Sequence, residues 1–513
     1  MSASLNAAQR ARDLDVLSTS TVDVLVVGGG ITGAGVALDA ASRGLTVAMV
    51  EKHDLSFGTS RWSSKLVHGG LRYLAHGDVH LAWESARERA ALIATIAPHL
   101  VHPLPFVIPL NDAVPGALGR LAWMGYEAGD VLRMMSGTSR WVLPRPRRLS
   151  VAETLRYIPT VNLAHLRGGL LSWDGQLEDD ARLVIAVART AARYGARVIT
   201  YAGASKLRGD GATVVDRRSG QTVELKARAV VNATGVWVPE LEPEIALRPS
   251  KGAHLVLSGA ALGYPRAALT VPVPGETNRF VFAMPQPDGL VYLGLTDDPI
   301  TGPVPDVPFA DEAEETFLLD VVSRALAVPV TPQDVVGSFA GLRPLAATGA
   351  GRTADLSRNH VVHRGGDGVV SVYGGKLTTY RKMAQDAVDT LARGPAGLPA
   401  GPSPTRTLPL VGAAPPAELA EVAAPARLVR RYGTEAGLVA SMAEEDPSLL
   451  APLAPGIPVL GVELAFGVRH EGALTVDDLL ARRTRLALAA EQAERARPAA
   501  ERILERWVPA TLV

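Results

Sequence analysis

Val22-Asp23-Val24-Leu25-Val26-Val27-Gly28-Gly29-Gly30-Ile31-Thr32-Gly33-Ala34-Gly35 leads, through an Ala-rich stretch, to Leu45-Thr46-Val47-Ala48-Met49-Val50-Glu51. An apolar run, a glycine turn, helical spacing over Ala34 to Arg43 and a second run ending in an acid spell a βαβ unit that cradles a nucleotide. Gly28 allows the tight strand-to-helix turn, Gly30 lets the backbone approach a pyrophosphate, and Gly33 lets the helix pack closely on the strand. Amides at the helix start then face the diphosphate. Glu51 is placed to accept hydrogen bonds from an adenosine ribose and to repel a 2′-phosphate, which points to FAD or NAD rather than NADP. The glycines alone are a weak signal in a chain with 50 of them; the flanking strands, helix and acid carry the reading.

Outward from this unit, 513 residues exceed one simple core and imply two or three domains. Lys plus Arg equals Asp plus Glu at 52 each, so no global field recruits nucleic acid, and any anion must be recognised locally. The absence of cysteine excludes disulfides, thiolate metal sites, iron–sulfur clusters and a cysteinyl flavin bond. Redox chemistry must then sit on a bound organic cofactor, and no metal site is expected. Met1 to Ser20 is polar, lacks the core of a secretory signal and reads as a loose lead-in. The uncharged run Pro447 to Val462 is broken by four prolines and cannot span a membrane as a helix. A cytoplasmic setting is expected.

Further along, Val79 to Ile96 has helical spacing, Pro98 to Pro109 is extended, and the cluster Pro144 to Arg148 reads as a surface connection. Asp179 and Asp180 precede a helix running to about Tyr194, and Gly209-Asp210-Gly211 marks a hairpin. Ala229 to Gly235 reads as a buried strand ending on a turn beside the first glycine loop. Leu247 to Gly341 shifts to short strands with Pro and Gly turns, suited to an antiparallel sheet. Val369 to Val372 leads through Gly374-Gly375-Lys376 into another helix. Gly394 to Pro416 is rich in Pro, Gly and Ala and reads as a linker, followed by helical patterns at Val476 to Ala490 and Arg495 to Trp507. Arg427, Arg430 and Arg431 read as a charged helix face, or as a contact with lipid headgroups.

The segment Ser63-Ser64-Lys65-Leu66-Val67-His68-Gly69-Gly70-Leu71-Arg72-Tyr73-Leu74 gathers hydroxyls, cations, an imidazole and paired glycines, the surface that a flavin ring requires. Taken with Val230 to Gly235, Ser338 to Leu345 and Tyr373 to Lys382, it resembles the FAD-dependent glycerol-3-phosphate dehydrogenases in colinear order from about Val22 to about Lys382. The resemblance implies an α/β fold of the D-amino-acid-oxidase type. That fold is a doubly wound FAD-binding (Rossmann-like) domain with an inserted antiparallel or mixed-sheet substrate cap, and here it is followed by a C-terminal helical domain. The expected partition is 20–75, 165–245 and 335–393 for the FAD domain and 76–164 and 246–334 for the cap. Residues 394–416 are then the linker and 417–513 the helical domain.

The resemblance also implies non-covalent FAD and oxidation of sn-glycerol 3-phosphate to dihydroxyacetone phosphate by hydride transfer to flavin N5. Electrons then pass to a quinone or another acceptor. A homodimer and a peripheral contact with the cytoplasmic membrane belong to the same expectation. Arg343 and Arg358 match the family's phosphate-gripping positions, where planar guanidiniums hold two oxygens at once. His254, if neutral, can take the hydroxyl proton, and Lys376 can polarise the oxyanion or act as the base itself; the residues leave the proton unassigned. Arg72 and Tyr73 complete the substrate pocket. Expected FAD contacts are Gly28, Gly30, Ile31, Thr32, Gly33, Glu51 and Lys52 on the first unit, then Thr59, Ser60, Ser63, Ser64, Lys65, Leu66, His68, Gly69 and Gly70. Ala233, Thr234, Gly235, Gly375, Lys376, Leu377 and Thr378 supply the rest. Trp173-Asp174-Gly175-Gln176 also fits the family, though a turn explains it. Rival readings are an oxidase using dioxygen, an oxidase of amino or 2-hydroxy acids, and a non-catalytic nucleotide-binding scaffold.

Overall fold

Thr21–Val27 lies inside the first sheet, with Thr222–Asn232 on one side and Val47–Val50 on the other, both parallel to it. The computed structural model describes residues 3–70, 78–276, 279–347 and 359–508. Arg197–Ile199 extends the sheet past Val47–Val50, while Val370–Gly374 and then the antiparallel His360–Arg364 extend it past Thr222–Asn232. Side chains alternate along the central strand: Val24 and Val26 enter one core, Leu25 and Val27 the other. A strand buried on both faces must be apolar throughout, which is why residues 24–27 show no polar alternation. Helix Ile31–Ser42 packs between Asp180–Arg193 and Tyr380–Ala392.

The second sheet has ten strands and is antiparallel except where Ala268–Pro272 runs parallel to Val101–Pro109. Ser250–Ser258 is its hub, pairing with Leu290–Gly294, Asp298–Pro299 and Val335–Arg343. Three boundaries of the expected partition shift here. Gly169–Leu177 and Val335–Arg343, expected in the FAD domain, are strands of this second sheet, and so is the short Leu66–Val67. Apolar patterning shows that a segment is a strand; its sheet is decided by partners far away in sequence. Trp173 to Gln176 accordingly lies within a strand and is no turn.

Residues 394–416 are no free linker. Leu398, Leu408, Leu410 and Val411 are buried in the core beside the first sheet, and the Leu410 amide donates to Ile96 O at 2.9 Å. Proline and glycine remove regular hydrogen bonding without removing apolar side chains, so composition signalled the irregular backbone and missed the packing. The lead-in is likewise ordered. Asn6 caps helix Ala7–Thr19, Leu14 and Leu17 are buried, and Arg10 reaches Thr200 O at 2.7 Å. Arg427, Arg430 and Arg431 face protein: Arg427 and Arg431 meet Glu463, Arg431 also meets Asp179, and Arg430 meets Glu178.

The C-terminal region has its own core around Leu428, Val462, Phe466, Leu479 and Ile503. The stretch expected as one helix over Val476 to Ala490 divides into a wide helical segment, Asp478–Arg483, and a 3-10 turn, Leu486–Leu488. Between them Arg485 takes a left-handed backbone with φ 67°. Arg482 and Arg483 both turn inward onto one carboxylate, which neighbouring positions of a regular helix do not permit.

Candidate active site

Four of the sequence motifs sit at the carboxyl ends of four neighbouring parallel strands. Gly28 follows Val27, Glu51 follows Val50, Ala233 follows Asn232, and Gly375 follows Gly374. Open α/β sheets bind ligands at this edge. Gly28 has φ +111°, and a Cβ there would lie 2.6 Å from Ala233 O. A Cβ on Gly33 would lie 1.9 Å from Gly28 O. The turn therefore closes only with glycine at both positions. Ala233 N donates to Val27 O at 2.8 Å, which stitches the two turns together.

Helix Ile31–Ser42 begins at Gly30 without a side-chain cap among the described residues, and Ile31 N donates to Ser60 Oγ at 2.9 Å. Glu51 accepts from Gly29 N at 2.6 Å and from His53 N at 2.8 Å. Burial raises its pKa against the pull of those two amides. The carboxylate thus lies directly on the glycine turn. A side-chain-free cradle, a helix start and an adjacent carboxylate fit the ADP half of FAD.

Residues 59–69 connect every other part. Thr59 Oγ1 donates to Leu342 O at 2.6 Å, beside Arg343. Ser64 Oγ lies 2.9 Å from His254 Nε2. His68 N donates to Thr378 Oγ1 at 3.4 Å, next to Lys376. Gly69 N donates to Asp174 Oδ2, and a Cβ on Gly69 would lie 2.7 Å from the Arg89 guanidinium. One segment thereby joins the glycine turn, three strands of the second sheet and the Gly375–Thr378 turn.

His254 is buried, stacked on Phe339 with ring centroids 4.7 Å apart. Burial first, then the Lys65 and Arg343 charges, pushes its imidazole down to about 3, so it is neutral at working pH. Arg343 lies on the neighbouring strand, in register with Ser250. Its guanidinium donates to Ser250 Oγ at 2.9 Å, Thr296 O at 3.0 Å and Asp297 Oδ1 at 3.2 Å. An anion at Arg343 must therefore compete with Asp297. Lys376 donates to Ser85 Oγ of helix Val79–Ala91.

Lys65 spends its side chain on protein partners. It is buried, with Nζ on Asp180 at 2.8 Å and on the carbonyls of Arg61 and Ser63, so its side chain anchors the loop. Thr234 donates to Asn232 Oδ1 at 2.6 Å and closes its own turn. Lys52 is exposed. Arg72, Tyr73 and Arg358 lie outside the described residues. Sequence reasoning missed Asp297, set Asp174 aside as part of a turn, and gave Asp180 no role beyond the helix start. A trace of Asp180 was legible: two acids precede the helix at 179 and 180, and capping needs only Asp179, which accepts from Ala181 N and Arg182 N.

This geometry defines a dinucleotide-binding protein whose nucleotide edge is joined to a second, largely antiparallel sheet. Comparison with known proteins agrees. The family described as FAD dependent oxidoreductase matches residues 23–381, and the C-terminal domain of alpha-glycerophosphate oxidase matches residues 403–508. Glycerol-3-phosphate dehydrogenase 1 of Mycobacterium tuberculosis is 52% identical over 98% of this chain and 99% of its own length. The mitochondrial glycerol-3-phosphate dehydrogenase of Arabidopsis thaliana is 34% identical over 94% of this chain and 82% of its own. The X-ray structure of the glycerol-3-phosphate dehydrogenase from Bacillus halodurans complexed with FAD superposes with a TM-score of 0.76 at 27% identity, covering 98% of this chain and 94% of that one. The chain belongs to the FAD-dependent oxidoreductases and, among them, to the glycerol-3-phosphate dehydrogenase family. Its cofactor is FAD.

Proposed function

We propose that the protein oxidises sn-glycerol 3-phosphate at carbon 2 to dihydroxyacetone phosphate. Bound FAD supplies the hydride acceptor. The observation that carries this reading is segment 59–69, which ties the nucleotide turn to His254, to the Arg343 strand and to the Lys376 turn. The relatives' names supply the substrate. Arg343 exchanges Asp297 for phosphate oxygens; Arg358, Arg72 and Tyr73 join the substrate contacts by the family resemblance alone. Neutral His254 accepts the hydroxyl proton, and Lys376 steadies the developing oxyanion. Anaerobic titration with glycerol 3-phosphate should bleach the flavin stoichiometrically. Arg343→Ala should raise the half-bleaching concentration by about 30-fold or more, the worth of charge-assisted bonds to phosphate. A wild-type flavin that stays oxidised, or an unshifted variant, would count against the proposal.

Electrons pass on to a quinone or another acceptor, and the chain works as a homodimer. The oxidase reading draws support from the family name of the C-terminal domain; stoichiometric peroxide under air would favour it. A peripheral membrane contact draws on helix Gly116–Met135. Leu121, Met124, Val131, Met134 and Met135 are exposed there, followed by Trp141 at 85% exposure with Arg140 over its ring. No described helix is long and apolar enough to cross a membrane. An apolar stripe with exposed arginines beside it suits anionic lipid. Flotation with phosphatidylglycerol vesicles should carry the protein, and Met134→Glu with Met135→Glu should lower the bound fraction at least ~5-fold. Equal flotation of the variant would remove this surface from consideration.

A further inference from the structure

The buried carboxylate of Asp54 stands three residues beyond Glu51, under the segment that borders the nucleotide turn. It belongs to the first domain, yet its partners come from the end of the chain. Arg482 Nε reaches Asp54 Oδ2 at 2.7 Å, and Arg483 grips both oxygens, at 2.7 Å and 2.8 Å. Burial alone would raise the Asp54 pKa, but the Arg483 and Arg482 charges outweigh it and hold the carboxyl ionised. Neither arginine is loosely held: Arg482 also meets Asp477 and Asp478, and Arg483 also donates to Glu471 O.

Two residues later, Arg485 brings Nη1 to 3.4 Å from Asp180 Oδ1. That carboxylate uses its other oxygen to receive Ser63 N, Ser63 Oγ and Lys65 Nζ. The same short stretch thus reaches both anchors of segment 54–65, one at its start and one near its end. Ser56, between them, has φ 63° and donates its amide to Gly29 O at 3.0 Å. Displacing the segment would therefore disturb the glycine turn itself. Leu488 packs with Phe339 and Val256 on the other side, so the stretch also bears on the strands that carry Arg343 and His254.

We propose that Arg482, Arg483 and Arg485 of the C-terminal domain form a clasp on Asp54 and Asp180 that holds the flavin-bed segment in its binding shape, so that this domain sets how tightly FAD is retained. The proposal rests on the reading of residues 54–65 as part of the flavin bed. The clasp residues are positioning residues and touch no reacting atom.

The test follows release of FAD from the purified full-length holoprotein, by recovery of free-flavin fluorescence after dilution, alongside the melting temperature of the flavin-stripped protein. Arg485→Asn tolerates the left-handed backbone and removes the guanidinium with its ion pairs to Asp180 and Asp179. It should speed release about tenfold, as expected for a lost charge-assisted contact, whatever melting temperature the stripped protein loses. Arg485→Lys should restore slow release. Asp54→Asn should speed release further, with a blurred flavin absorption band. Gly33→Ala serves as the reference for the cofactor site: if it keeps FAD, the placement of the flavin itself is wrong. If Gly33→Ala loses FAD while Arg485→Asn and Asp54→Asn release it at the wild-type rate, the clasp is overturned. A lower melting temperature of the stripped Arg485→Asn and Asp54→Asn proteins with unchanged release would also overturn it, since the pairs would then serve stability alone.

Discussion

Gly33→Ala is expected to purify with at least ~10-fold less bound FAD than the native chain, because overpacking a rigid turn costs on the order of 1–3 kcal/mol or more at the atoms that form the cradle. The added Cβ would meet Gly28 O at 1.9 Å, and the obstructing atom is backbone, so no rotamer change relieves it. Either the helix start or the Gly28 turn must move, and both belong to the diphosphate site. The ratio of flavin to protein absorbance after gel filtration reads the result directly. Gly116→Ala is the matched control, since its Cβ would meet nothing within 4 Å. A Gly33→Ala protein with a full flavin complement would show that the turn does not hold the cofactor.

The second large effect concerns the join between the first sheet's helix and the C-terminal domain. Arg182 and Glu471 form a bidentate pair at 2.5 Å and 2.6 Å, both buried. Burial by itself would raise the Glu471 pKa; Arg182 more than compensates and leaves it below its ordinary 4.5. Arg182→Ala removes one partner and strands the other charge, for which a loss of about 3–5 kcal/mol is expected in urea unfolding at pH 7. Arg182→Met, of closer volume, should lose less packing and still leave the carboxylate unpaired. Because the folded pKa is depressed, the pair's stabilisation is present above pH 4.5 and is lost as the pH falls through the folded value. Arg182→Ala should therefore flatten the acid side of the stability profile as well as lowering it. A variant with native stability and an unchanged acid limb would show that the pair contributes nothing net.

Where sequence patterning depends on neighbours in the chain, it translated well. Asp179 caps Asp180–Arg193, Gly209 to Gly211 turns the hairpin, and Thr21–Val27 with Val47–Val50 flanks the glycine turn. Each depends on local sterics or hydrogen bonds that a few residues decide. Arg343, Lys376 and Gly375 were chosen through colinear motifs, and His254 as a candidate base. The structure links segment 59–69 to His254 directly, and to Arg343 and Lys376 through Leu342 and Thr378. Side-chain direction was not legible. Lys65 stood in its loop as one of several cations, and the partner of its ammonium, Asp180, lies 115 residues away. Arg343 looked available to phosphate, and Asp297 already occupies it.

The sequence by itself determined that a βαβ unit begins near residue 21, that glycine stands at 28 and 33, that an acid ends the second strand, and that no cysteine takes part in the chemistry. These properties follow from residue types and from spacings shorter than a supersecondary unit. Only the tertiary structure decided that Gly169–Leu177 and Val335–Arg343 join the second sheet, that residues 394–416 pack into a core, and that Arg482 and Arg483 close on Asp54 across 428 and 429 positions. The reason is physical. A buried charge or a strand edge is satisfied by whichever partner folding brings within about 3 Å, and over such separations spacing along the chain does not encode that distance.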